Sequence, residues 1–117
     1  MVSVSRFRQL ALSFPGTDAH PHFDKTAFRV RKKIFATLDE PNKRAMIKLH
    51  LSQQSVYCQA FPDIIYPVPG KWGLGGATFV RLPVIAAAVV REMLAIAWSQ
   101  SAPDAAKEKT HKKSRGL

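Results

Sequence analysis

The stretch 25-KTAFRVRKKIFATLDEPNKRAMIKLH-50 decides the fold. It holds three runs of strand length, Lys25–Arg31, Lys33–Asp39 and Arg44–His50, each rich in β-branched, aromatic or long aliphatic side chains. The links between them, at Arg31–Lys33 and Glu40–Lys43, suit antiparallel hairpins, whereas a parallel pair needs a crossover of about a dozen residues. A three-stranded meander is predicted. Alternation along its strands sends Phe28, Val30, Ile47 and Leu49 to a core and Lys25, Arg29, Arg31, Lys48 and His50, with Lys33, to the opposite face.

Upstream, Phe7, Leu10, Ala11 and Phe14 form an apolar stripe at helical spacing. Ser3 or Ser5 caps this helix, Pro15–Gly16 ends it, and a polar stretch, Gly16 to Pro21, follows. Downstream, a second helix is predicted from Leu51–Ser52, with Ser52 as N-cap, Val56 and Ala60 on its inner face and Pro62 as its stop. Ile64 to Gly70 is apolar but interrupted by Pro67 and Pro69, which argues for a packed loop. Lys71–Leu74 and Thr78–Leu82 flank Gly75–Gly76 and are predicted to form a second hairpin, with Val80 and Leu82 inward and Phe79 and Arg81 outward. The last helix follows Pro83 and runs from Val84 to about Ser101. The order is α-β(3)-α-β(2)-α, an α+β fold of two layers: a five-stranded antiparallel sheet with helices on one face.

A chain of 117 residues, 46% hydrophobic, fits one domain with one core. Cys58 is the single cysteine, which excludes an intrachain disulfide and the common cysteine-rich zinc sites and points to a reducing compartment. The apolar run Leu10–Leu12 is too short for a signal-peptide core, and Leu82–Trp98, broken by Arg91 and Glu92, is too short to span a bilayer. A soluble cytoplasmic protein with no membrane partner is expected. The net charge of +10 favours polyanions. Most of it falls on residues 1–103, with thirteen Lys and Arg against six Asp and Glu; residues 104–117 add five against two and are expected to be a disordered basic tail.

The segments Leu12-Ser13-Phe14-Pro15-Gly16, His20-Pro21-His22-Phe23, Phe28-Arg29-Val30, Lys33-Ile34-Phe35-Ala36-Thr37-Leu38, Lys48-Leu49 and Gly70-Lys71-Trp72-Gly73, with Gly76, Thr78 and Val80, resemble the MmcQ/YjbR family over about residues 5 to 103. The resemblance implies the same α-β(3)-α-β(2)-α order, similar to secretion-chaperone folds, and a DNA-binding role without catalysis. Asp24 and Lys32 stand where many relatives carry glycine, and Ala77 where tryptophan is frequent.

Arg29, Arg31, Lys32 and Lys33 cluster around one hairpin, where guanidinium forks and ammonium groups suit successive phosphates. With the predicted second hairpin they form two wings on duplex DNA, Lys48 and Arg81 lying between or beneath them. The alternative is an ordinary solvated sheet face. Trp72, beside Lys71, is either a stacking platform or, with Phe61, Tyr66 and Val68, the closure of the core. His20 and His22, with Asp18, Asp24 and His50, have metal-ligand chemistry but lack a completing ligand; more simply, His22 and Phe23 anchor the loop to the first strand. No nucleophile stands in an activating arrangement, and Gly73-x-Gly75-Gly76 lacks the lysine and hydroxyl of a phosphate loop, so neither catalysis nor a cofactor is expected. Apolar residues on more than one side of the last helix offer Ile85, Val89 and Ile96 to a homodimer, or else fill a wide groove.

The expected function is non-enzymatic binding of nucleic acid, duplex DNA foremost, through Arg29, Arg31, Lys32, Lys33, Lys48, Lys71, Trp72 and Arg81. The runner-up is a protein-interaction or chaperone-like module holding an acidic or apolar segment. A pocket formed by His20, His22, Trp72 and the Tyr66 loop is a third expectation.

Overall fold

Ser3 accepts a hydrogen bond from the Arg6 amide and so starts α1 (Val4–Leu12), which buries Phe7, Leu10 and Ala11. The predicted stripe is the packed one. The structure, a computed structural model, describes residues 1–102, so the predicted basic tail at 104–117 lies outside the described residues.

Six strands, rather than the predicted five, make one antiparallel sheet: β1 (Thr17–His22), β2 (Lys25–Val30), β3 (Lys33–Asp39), β4 (Arg44–Lys48), β5 (Ile65–Pro67) and β6 (Ala77–Arg81), in the order β1-β2-β3-β4-β6-β5. The meander β2-β3-β4 is as predicted. Pairing shifts from Phe28↔Ala36 to Arg29↔Ile34, which leaves Phe35 as the extra residue of a β-bulge. The bulge lets Phe35 and Ala36, neighbours in sequence, both enter the core.

The two edge strands depart from the sequence reading. Thr17–His22, read as a connection, pairs residue for residue with β2, and Ile65–Pro67, read as loop, pairs with β6. An edge strand needs one ladder, not two, and tolerates a proline; Pro21 and Pro67 sit in these edges.

The predicted second hairpin is absent. Lys71–Leu74 is a helical turn, α3, and not a strand. Gly73 approaches Val68 so closely that a Cβ there would lie 1.9 Å from the Val68 carbonyl oxygen, a contact that only glycine permits. Gly76, at φ +107, is held as tightly against the Leu49 carbonyl. Between them the chain coils back and enters β6, and the place beside β6 is taken by β5.

α2 (Leu51–Ala60) begins after His50, so Ser52 lies inside the helix and is not its cap. Its inward residues are Gln54 and Tyr57, whereas Val56 and Ala60 are exposed. The expected apolar face fails because a polar group does the docking: Gln54 Nε2 lies 3.0, 3.1 and 3.1 Å from Gly73 O, Ala77 O and Thr78 Oγ1. The final helix, α4 (Ala87–Ser101), starts three residues later than predicted, after a 3-10 turn at Leu82–Val84 and an extended Ile85.

One apolar cluster joins α1, the inner sheet face and α4 through Phe7, Phe28, Leu38, Ile47, Val80 and Leu94. All six residues predicted inward on the strands (Phe28, Val30, Ile47, Leu49, Val80 and Leu82) are buried. The Phe14 ring stacks on Trp98 at 6.1 Å, and Trp98 Nε1 donates to Pro15 O at 2.9 Å, tying the end of α1 to α4. Ile85 is buried in this core, and Val89 and Ile96 are half-buried against it, so α4 fills a wide groove and Ile85 is not available to a second copy. Among the described residues no helix is long and apolar enough to cross a membrane.

Candidate nucleic-acid interface

Strand register sorts the cations between the two ends of the sheet. Val30 pairs with Lys33, so Arg31 and Lys32 alone make the β2–β3 turn. Their φ angles are +52° and +65°, the left-handed pair of a type I′ turn, for which Asn-Gly is the favoured sequence. Lys33 follows, exposed. Lys48 ends β4 opposite Ala77, the first residue of β6, and α3, carrying Lys71 and Trp72, leads into that residue. Arg31, Lys32, Lys33, Lys48, Lys71 and Trp72 therefore share one end of the sheet. Trp72 is 74% exposed and Leu74 75%, so Trp72 is not the core closure that the sequence also allowed.

Two predicted members stand apart. Arg29 lies on the outer face, where its Nε donates to Asp18 Oδ1 at 3.2 Å and its Nη2 contacts His20 Nε2, so a carboxylate already offsets its charge. Arg81 lies at the opposite end of β6, four residues beyond Ala77, or ~13 Å at the rise of a strand. It donates to the Asp63 carbonyl at 3.3 Å. The expected arrangement of Lys48 and Arg81 between two wings is thus not the one observed.

The outer face is not a continuous basic surface. Arg44 stacks 4.0 Å over the Phe79 ring and lies 3.6 Å from Asp39, while Tyr66 packs edge-on to Phe79 at 5.6 Å. Lys43 and Arg44, outside the predicted set, flank Arg81 at this far end. Their signal in the sequence is a Lys-Arg pair where a four-residue turn runs into a strand, legible as charge but not as position.

On β1, His20 Nε2 lies 3.5 Å from Asp18 Oδ1, the same carboxylate that Arg29 of β2 contacts, and His22 packs edge-on to Phe23 at 4.9 Å. Asp24 accepts a hydrogen bond from Lys25 Nζ at 3.1 Å, and that bond, with the lysine's charge, holds its carboxyl below the usual carboxylate range. Among the described residues no three His, Cys, Asp or Glu side chains converge where they could hold a metal ion. The pocket expected from His20, His22 and Tyr66 does not form: β1 and β5 are opposite edges of the sheet, five strand spacings or ~24 Å apart. Cys58 is half-buried in α2, and burial pushes its thiol up, away from the reactive thiolate.

No curated protein matches the chain. A solved structure, Deinococcus radiodurans protein DR2400 with a DUF419 domain, matches with a TM-score of 0.70 at 20% identity, over 80% of this chain and 74% of that one. At that identity the likeness is one of fold. A model of the YjbR family matches residues 12–100, which takes in the β2–β3 turn, Lys48, α3 and most of α4; the chain belongs to the YjbR family.

Proposed function

We propose that this protein binds nucleic acid, duplex DNA foremost, without catalysis and with modest sequence preference, through the end of the sheet that carries Arg31, Lys32, Lys33, Lys48, Lys71 and Trp72. The observation that carries the reading is the β2–β3 turn. Two cations occupy left-handed positions that cost a non-glycine residue about 1 kcal/mol or more each, at the exposed tip of the β2–β3 hairpin. A two-stranded ribbon of this kind fits a major groove, with lysines on the flanking backbones and Trp72 free to stack on an exposed base. The half-buried Cys58, a lone thiol, is in keeping with a reducing cytoplasm.

Fluorescence anisotropy of a labelled mixed-sequence duplex, repeated across a salt series, tests it. Each phosphate neutralised contributes about 0.9 to the slope of log K against log salt, so the R31Q/K32Q/K33Q variant of the full chain should lose roughly 2–3 units of slope. An unchanged slope overturns the assignment. It would move a second reading to the front, a module for an acidic partner segment, which draws on the exposed Trp72 and Leu74 beside the same lysines.

A further inference from the structure

At the far end of β4 and β6, Arg44 and Arg81 are direct cross-strand partners. Like charges in that relation destabilise a ladder, with Cβ atoms about 5 Å apart, unless something between them is negative. Lys43 joins them from the β3–β4 turn, at φ +49°. With Asn42, Tyr66 and Pro83 these three cations line a cleft of about 320 Å³.

The nearby carboxylates do not neutralise it. Asp39 accepts from Asn42 Nδ2 at 2.9 Å and lies 3.6 Å from Arg44, Glu40 is paired with Arg8, and Asp63 offers Arg81 its main-chain oxygen. One carboxylate against three cations leaves about two positive charges. Arg44 Nε is buried and has no hydrogen-bond acceptor among the described residues. The Arg44 guanidinium is also pre-organised, its carbon held 4.0 Å over the Phe79 ring, so little rotamer freedom remains to be lost on binding.

We propose that this cleft binds a small organic phosphate, a phosphate monoester dianion attached to a flat ring. Two guanidinium forks and an ammonium suit the three oxygens of a dianion. Tyr66, braced edge-on by Phe79, supplies a wall for the ring, and Asn42 adds an amide that can donate or accept. The volume is at the low end of the roughly 300–1,000 Å³ of small-ligand pockets, enough for a molecule of mononucleotide size and too small for a duplex. The site goes beyond the nucleic-acid reading and is independent of it, since it occupies the opposite end of the sheet from the β2–β3 turn.

Phenyl phosphate, inorganic phosphate and phenol, each titrated into the full chain and followed by amide NMR shifts, test the proposal. Phenyl phosphate should move the amides of Asn42, Lys43, Arg44, Tyr66 and Arg81; inorganic phosphate should bind more weakly and phenol not at all. Lys43 and Arg81 are exposed, so K43Q/R81Q should keep the fold, read from unchanged shifts elsewhere, while weakening phenyl phosphate roughly tenfold or more. The R31Q/K32Q/K33Q variant should bind it as the parent does. Unmoved cleft amides, undiminished binding by K43Q/R81Q, or equal affinity for inorganic phosphate would each overturn the proposal.

Discussion

Two glycines hold the chain where no other residue fits. A methyl group at Gly73 would meet the Val68 carbonyl oxygen at 1.9 Å, and one at Gly76 the Leu49 carbonyl at the same distance. Both obstacles are backbone, so relief requires a strand end to move. Gly73→Ala should cost about 3 kcal/mol, in the range of severe overpacking, and urea denaturation of the two proteins measures it. The β2–β3 turn presents the reverse case. Replacing Arg31-Lys32 by Asn-Gly should raise stability by about 1–2 kcal/mol, because the backbone then adopts its angles without strain, while lowering the salt slope of DNA binding by about 2 units. Denaturation and anisotropy on one variant read both effects, and a gain in stability without a loss of slope would separate the strain from the binding. At this scale the sequence was a partial guide. Lys32 is recognisable as a charge at a hairpin tip, but its left-handed backbone is not. Trp72 was undecidable, since its exposure follows from the coil that Gly73 permits, and a close approach between residues 68 and 73 has no periodic signature.

Among the elements, those with two neighbours were legible and those with one were not. β4 alternates because one face is buried, β2 and β3 are runs of β-branched, aromatic and aliphatic residues of strand length, and α1 has a buried stripe, so pattern and composition mark all four. β1 buries no residue fully, and β5 is three residues long; neither leaves an alternation to detect. The docking of α2 was hidden for a different reason: its anchors are Gln54, through its amide, and Tyr57, through its hydroxyl to Glu92 on α4. The latter makes a testable link between helices. Burial, then the hydrogen bond to Glu92 and its negative charge, push the Tyr57 hydroxyl up to about 12 from the ordinary 10. A raised folded-state pKa means that the folded form holds its proton where the unfolded chain has released it. The contribution is full below pH 10 and is lost as pH rises from 10 to 12. Urea denaturation across that window should therefore show the parent losing more stability than Tyr57→Phe, and parallel curves would exclude the link.

For the molecule as a whole, eight of the thirteen Lys and Arg of residues 1–102 gather at the two ends of the sheet rather than spreading over its face. One end is an exposed turn with lysines around it, and the other is a cleft with paired arginines; the outer face between them carries Arg29, already matched by Asp18, and the aromatic pair Tyr66–Phe79. Alternation assigns each cation a side of the sheet and says nothing of its position along the strand or of the counter-charges that β1 brings, so it reads as one basic face what the structure divides. The same sheet has two open borders, and each contains a proline. Pro21 and Pro67 remove a main-chain donor from the rows of groups along which a further strand would add. The outer borders of the sheet are thus poor templates for growth, and the fold carries its own protection against stacking edge to edge into fibres.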